Sequence, residues 1–133
     1  MITPSNELAI DDINEINESV EKTIDLNNHL KSGSANYSTS WIGWDIESLD
    51  VPSGDNRIVV WISGTNSSNG TINIASNSVC NYPSSNSIYS TTPPAPGYTK
   101  RVYIPRYLIG NDDILNIKIV GHNLTGDLYT YNE

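Results

Sequence analysis

Two hydrophobic periods divide the chain, and the change from one to the other falls near residue 36. From Ala9 to Leu30 apolar residues recur at spacings of three and four, which predicts an amphipathic helix. The apolar stripe is narrow, as in a coiled-coil seam, whereas a helix packed on a globular core shows a wider one. Because a helix of about three heptads is marginal alone, we predict self-association. Docking of the helix on its own domain is the alternative.

The same segment predicts an oligomer and its interface. Two heptad registers compete, and isoleucine at both seam positions favours three or four strands over two. A Gly33 stop signal and a short flexible joint, "KSGSANYS", follow the helix. We therefore divide the chain into an oligomerisation segment, 1–33, and a head domain, 34–133. The predicted oligomerisation residues of this homotrimer are Ile13, Val20, Ile24, Asn27 and Leu30.

Beyond residue 36 the period becomes two, which predicts β-strands. "SWIGWDIESLDV" places Trp44 on an apolar face, so we assign Trp44 to the core. "RIVVWIS" is almost continuously apolar, as a buried strand would be, and "TINIAS" and "KRVYIP" alternate, with Pro105 ending the second. "ILNIKIVG" turns one face inward, namely Leu115, Ile117 and Ile119.

The fold class predicted from these elements is mainly β. Residues 79–98 are rich in Pro and Ser, which indicates a long loop with at most one short strand. Six to eight short strands, with turns about every ten residues, favour an antiparallel β-sandwich or jelly roll. The predicted N-terminal helix precedes this head.

Composition and charge narrow the function. A net charge of −8 argues against nucleic acid and against insertion into an anionic membrane surface. The N-terminus has neither the basic region nor the apolar run of a secretory signal, and no stretch approaches the roughly 20 apolar residues of a membrane span. We expect folding in a cytoplasm. The single cysteine, Cys80, has no partner in the chain, so we expect a reduced thiol.

The stretch "YIPRYLIGNDDILNIKIVGHNLTGDLY" resembles the closing half of galactose-binding-like jelly rolls, the fold of many carbohydrate-binding modules. In those folds a strand ending in Pro leads to a G-N-D turn, an alternating strand and a last strand. The upstream "VPSGDNRIVVWISG" has the same style. The matching residues are Ile104, Pro105, Leu108, Gly110, Asn111, Asp112, Leu115, Ile117, Ile119, Gly121, Gly126 and Leu128.

The whole layout also resembles a bacteriophage fibre or baseplate protein of the trimeric receptor-binding kind. The likeness lies in the short coiled coil, the Gly/Ser joint and the β-head rich in Tyr, Trp, Asn and Ser. It implies a virion component that is assembled in the host cytoplasm with other virion proteins. It also accounts for the missing secretion signal.

The sequence offers only weak candidates for catalytic or metal-binding residues. A Ser-His-Asp unit could use only His29 or His122, and neither lies near a nucleophile-elbow sequence. Asp112, Asp113 and Asp127 could supply oxygen ligands to Ca²⁺, but "NDD" is first of all a turn sequence. We therefore predict no catalytic residues, no metal and no cofactor.

Aromatic residues give the positive signal for binding. The Tyr and Trp residues exceed what a small core needs, and sugars pack their flat C–H faces on such rings. The predicted saccharide-binding residues are Tyr98, Tyr89, Tyr82 and Trp41, the tyrosines lying in or beside the long loop.

We therefore interpret the chain as a non-enzymatic phage virion module that attaches to host-surface saccharide. One alternative is a structural capsid or tail decoration or joining protein without a ligand. The other is a glycan-degrading hydrolase tip, which would show a pocket with two converging carboxylates.

Overall fold

The computed structural model describes residues 15–22, 32–54, 57–64, 69–76, 87–109 and 113–132, which form a β-sandwich. Helical structure in these ranges consists of a 3-10 turn at Ser40–Ile42 and a short helix, α1, at Arg106–Ile109. None of the described helices has the length and apolar character needed to span a membrane. The strands in these ranges are β1 (Asn17–Lys22), β2 (Gly33–Ser38), β3 (Trp44–Asp50), β4 (Ile58–Ser63), β5 (Thr71–Ser76), β6 (Ser87–Thr91), β7 (Tyr98–Ile104), β8 (Ile114–Val120) and β9 (Thr125–Asn132).

The strands form two antiparallel sheets. One sheet has the order β1-β7-β4-β9-β2, and the other has the order β3-β8-β5-β6. Without β1, each sheet has four strands, and successive strands alternate between the sheets except at β5 and β6. This is the strand order of a jelly roll, to which β1 adds one edge strand beside β7. The predicted mainly-β sandwich is confirmed.

The core lies between the inner faces of the two sheets. Strand β4 is buried along its whole length, as its continuous apolar run predicts. In β8, Leu115, Ile117 and Ile119 are fully buried, which confirms that they share the core face. Strand β7 ends at Ile104, directly before Pro105, because proline has no N–H to continue the ladder.

A second apolar cluster covers part of the outer face of the five-stranded sheet. Val59, Trp61 and Tyr131 are buried there, with Tyr103 and Tyr129 packed against them. The ring centroids of Trp61 and Tyr129 are 5.1 Å apart, at an interplanar angle of 46°. Part of the aromatic excess in the sequence is therefore structural.

The helix predicted from Ala9 to Leu30 is wrong at Asn17–Lys22, which form β1 and pair along their length with β7. Ile16 and Val20 lie four residues apart, a spacing that fits one face of a strand as well as one face of a helix, and pairing with a neighbouring strand overrides a local helical spacing. Val20, predicted to lie in a coiled-coil seam, is 53% exposed on this strand. The other predicted oligomerisation residues lie outside the described residues, namely Ile13, Ile24, Asn27 and Leu30.

A polar network joins β1, in the five-stranded sheet, to β6 in the four-stranded sheet. The Glu18 carboxylate accepts hydrogen bonds from the hydroxyls of Tyr89 and Thr91 in β6, the second at 2.8 Å. The Lys100 ammonium lies 3.3 Å from Glu18 Oε1 and donates to Thr91 Oγ1 at 2.9 Å and to the Thr92 carbonyl at 2.7 Å. Because Lys100 is only 5% exposed, the carboxylate of β1 compensates a buried positive charge.

The segment predicted as a flexible joint contains β2, which pairs with β9. Its side chain Tyr37 is buried and donates a hydrogen bond to the Ser63 carbonyl at 2.7 Å. Inward-facing Ala35 and Tyr37 give β2 an apolar face in an otherwise polar sequence, and this face anchors the strand. The predicted domain boundary, between residues 33 and 34, falls within β2.

Candidate functional site

An open cleft lies on the outer face of the four-stranded sheet, at the end where β3, β5 and β8 meet. Its volume is about 840 Å³. Gly43, Gly70 and Gly121 line the end of the cleft, where two turns approach each other. Its apolar lining residues are Ile42, Trp44, Ile46 and Val120, and its polar ones are Asn69, Thr71, Lys118 and His122.

Backbone hydrogen bonds join the two turns. The Gly121 amide donates to the Gly43 carbonyl at 2.8 Å, and the Asn123 amide donates to the Ser40 carbonyl at 3.1 Å. Gly43 has a φ of +86°, which favours glycine. A Cβ atom at this position would lie 3.3 Å from Cε1 of His122. The glycine therefore lets the imidazole lie close to the backbone at the end of the cleft.

Trp44 lines the cleft and is 48% exposed, so its assignment to the core is wrong. Alternate residues of a strand point to opposite faces. In β3, Leu49 is buried and pairs with buried Leu115. The odd-numbered residues of β3 consequently face the core side, while Trp44 and Ile46 face outward.

Large apolar side chains are unusually exposed at this end of the sandwich. Trp41, a predicted ligand residue, lies in the 3-10 turn before β3 and is 81% exposed. Ile42 is 50% exposed, and Val120, which pairs with Trp44 across β3 and β8, is 39% exposed. Neighbouring exposed apolar side chains of this size mark a binding surface.

The polar lining residues have complementary hydrogen-bonding chemistry. Asn69 offers an amide, Thr71 a hydroxyl, Lys118 an ammonium group and His122 an imidazole. No carboxylate occurs among the described lining residues. A flat apolar ring beside several polar groups is suited to a small polar ligand that has one apolar face.

The structure places two of the predicted tyrosines, Tyr89 and Tyr98, away from this cleft. Tyr89 lies in β6, at the edge of the four-stranded sheet opposite β3, and its hydroxyl bonds Glu18. Burial, followed by this hydrogen bond and the charge of Glu18, raises the pKa of Tyr89 to about 12. Tyr98 begins β7 in the other sheet and is 38% exposed. Tyr82 lies outside the described residues. A binding site formed by these tyrosines stays a prediction.

Two carboxyl groups lie close together on β3, but on the strand face opposite Trp44. Burial, together with a hydrogen bond and repulsion from Asp45, raises the pKa of Glu47 to about 7. Asp45 also accepts a hydrogen bond from the Ser38 amide at 3.0 Å. Among the described residues, no three His, Cys, Asp or Glu are grouped so as to hold a metal ion. Asp112 lies outside these residues.

None of the predicted saccharide-binding residues lines the cleft in the part of the chain that the structure describes, and the lining residues that sequence reasoning missed include Trp44, Lys118 and Val120. A signal for the last two is present in "ILNIKIVG", where they share the face opposite the buried isoleucines. Because Val120 shares this outward face with Lys118, its apolar side chain is expected to be exposed to solvent. The partner strand that adds Trp44 to this surface cannot be read from the segment alone.

No protein-family model matches the sequence, and no curated protein matches it. One solved structure that is similar to this chain is that of the carbohydrate-binding module TmCBM61 in complex with beta-1,4-galactotriose. The two chains are 14% identical with a TM-score of 0.37, over 95% of this chain and 94% of that chain. A TM-score of this size establishes neither a shared fold nor a shared ligand.

Proposed function

We propose that this protein is a non-enzymatic binding module that holds a saccharide in the cleft beside Trp44. The exposed indole of Trp44 is the observation that carries the proposal, because a sugar ring packs one C–H face on such a surface. The polar lining can hydrogen-bond the hydroxyl groups around the ring edge. These polar groups are Asn69, Thr71, Lys118 and His122.

The make-up of the cleft supports binding without catalysis. Glycoside hydrolysis ordinarily needs two carboxyl groups that flank the scissile bond. The described lining residues include neither Asp nor Glu, and Asp45 and Glu47 belong to the other face of β3. A glycan-degrading enzyme is therefore the weaker candidate.

Within this proposal, the saccharide belongs to a host-cell surface and the chain is a phage virion component. It would act as a homotrimer, assembled with other virion proteins in the host cytoplasm. The support for a phage virion component is the β-head rich in Tyr, Trp, Asn and Ser. The predicted coiled coil does not support it at Asn17–Lys22, because these residues form β1. Sedimentation equilibrium of the full chain tests this part. A trimer supports it, and a monomer at micromolar concentration contradicts it.

A protein partner is the second candidate, as in a decoration or joining protein. The exposed side chains of Trp41, Ile42 and Val120 favour it, because they extend the apolar surface around Trp44. In that case the protein would bind no glycan, and Trp44→Ala would weaken its association with the protein partner.

Glycan-array screening of the full chain, followed by calorimetry on the best ligand, tests saccharide binding. The exposed half of the Trp44 indole offers roughly 80 Å² of apolar surface, worth about 2 kcal/mol when covered by a sugar. Trp44→Ala should therefore weaken binding about thirtyfold. Its melting temperature should fall by several degrees, because about half of the side chain is packed against the protein, and affinities are compared at a temperature where the variant is folded.

Tyr107→Ala is the matched control, since Tyr107 is 67% exposed, lies in α1 and does not line the cleft. It should leave glycan affinity unchanged. Equal loss in both variants, or full affinity in Trp44→Ala, would contradict a site in this cleft.

A further inference from the structure

The cleft is locally cationic, although the whole chain is acidic. The net charge of the protein is −8. The titratable side chains among the described lining residues are Lys118 and His122. The cleft therefore carries the opposite sign to the protein, and a negative ligand group would find an attractive charge there.

Lys118 is positioned to meet a ligand. It lies in the middle strand of the cleft, opposite Ile46 of β3 on one side and Asn73 of β5 on the other. Lys100 and Arg101 each pair with a glutamate of β1. Lys118, by contrast, has no hydrogen-bond or ion-pair partner in the part of the chain that the structure describes.

His122 supplies a second polar group at the end of the same cleft. Its ring lies against Gly43, so its position is restricted by the backbone of the turn. It is exposed, and no hydrogen bond within the described residues occupies its ring nitrogens. A ligand lying on Trp44 would thus have Lys118 and His122 on its polar side.

We propose that the saccharide is anionic and that its carboxylate, as in a hexuronic acid, binds Lys118. This inference rests on the proposed function and names the class of its ligand. The sugar ring packs on Trp44, and the carboxylate accepts a charge-assisted hydrogen bond from Nζ of Lys118, which is stronger than a bond between neutral groups. Lys118 is then the residue that selects acidic over neutral sugars.

Matched sugars test this selectivity. The methyl glycosides of glucose, galactose and mannose are compared by calorimetry with the corresponding methyl glycosiduronates, which differ only at C6. At least one acidic sugar should bind about tenfold more tightly than its neutral counterpart. The preference should shrink in about 0.5 M NaCl because salt screens the exposed ion pair.

Variants of Lys118 assign the preference to this residue. Lys118→Met should bring the acidic sugar to the affinity that the neutral sugar has for the same variant, so that the ratio of the two affinities falls to about one. Lys118→Arg should keep most of the preference, since it keeps the charge. Melting temperatures identify a variant that fails to fold, and Lys118→Gln then replaces Lys118→Met.

The outcomes separate the two proposals. Equal affinity for neutral and acidic sugars, with binding lost in Trp44→Ala, would overturn the anionic ligand and leave the proposed function standing. A variant without charge at position 118 that keeps the full preference would also overturn it. Failure of every sugar to bind would overturn both.

Discussion

Replacing Glu18 by glutamine tests whether the N-terminal segment is a strand of the sandwich. In β1 the Glu18 carboxylate faces Lys100, whose ammonium lies 3.3 Å away and whose side chain is 7% exposed. On a solvated helix, as the heptad spacing predicts, the same carboxylate would be a surface charge. Glu18→Gln keeps the shape of the side chain and removes the charge, so it distinguishes these two environments.

The size of the effect follows from the geometry. At 3.3 Å and an effective dielectric constant of about 20, the Coulomb attraction is about 5 kcal/mol. The Glu18 side chain is 31% exposed, so water screens much of this. Lys100 also keeps its bonds to Thr91 and Thr92. We expect Glu18→Gln to lower the free energy of unfolding by about 2 kcal/mol, or roughly 8 °C in melting temperature.

The pH dependence of this loss has a definite sign. Burial raises the pKa of Glu18, but hydrogen bonds from Tyr89 and Thr91 and the charge of Lys100 outweigh it, leaving the pKa below its ordinary value of 4.5. A depressed pKa stabilises the fold above the ordinary value, and this stabilisation is lost as pH falls through the native pKa. The difference between the two proteins should therefore be full at pH 7 and shrink below about pH 4.5.

Urea denaturation of wild type, Glu18→Gln and Glu15→Gln measures these differences. Glu15→Gln makes the same charge change three residues earlier, at an exposed position, and should leave the unfolding midpoint unchanged. The double variant Glu18→Gln/Lys100→Met should lose less stability than the sum of the single variants, because each charge needs the other. Equal midpoints for Glu18→Gln and Glu15→Gln would refute the placement of β1.

Three further predictions concern other parts of the chain. Tyr37→Phe removes the bond to the Ser63 carbonyl and should lower the free energy of unfolding by about 1–3 kcal/mol; an unchanged urea midpoint would speak against that bond. Because burial and Asp45 raise the pKa of Glu47 from 4.5 to about 7, wild-type stability should fall as pH rises through this window. Glu47→Gln should match the wild type at pH 4 and exceed it by about 1 kcal/mol at pH 8, after solvent screening; an equal difference at both pH values would be contrary evidence. Cys80 should be a free thiol, so non-reducing electrophoresis of fresh protein should show monomeric chains, and a mostly covalent dimer would exclude this.

The strands that the sequence predicts well carry their information locally. In β8, alternation alone brings Leu115, Ile117 and Ile119 to one face, and the continuous run of β4 predicts burial on both faces. Strand β1 could not be predicted in this way. The spacing of Ile16 and Val20 fits a helix face and a strand face alike, and the partner strand that decides between them, β7, lies far along the chain.

The cleft was only partly predictable for a related reason. Trp41, a candidate from the aromatic excess of the sequence, is exposed in the turn before β3 but is not among the described lining residues of the cleft. Trp44 was misplaced, because alternation groups residues by face without indicating which face turns inward. That choice depends on pairing between β3 and β8, which places Leu49 against Leu115 and leaves Trp44 beside Val120 at the surface.

Nuclear magnetic resonance of the ¹⁵N-labelled protein, titrated with its best saccharide, tests the central claim most directly. The indole N–H signals of Trp41, Trp44 and Trp61, assigned from single Trp→Phe variants, report separately on the two exposed rings and the buried one. Binding in the cleft should move the Trp44 indole signal and the backbone amide signal of Lys118, and leave Trp61 unchanged. A saccharide that binds without moving the Trp44 and Lys118 signals would contradict the account.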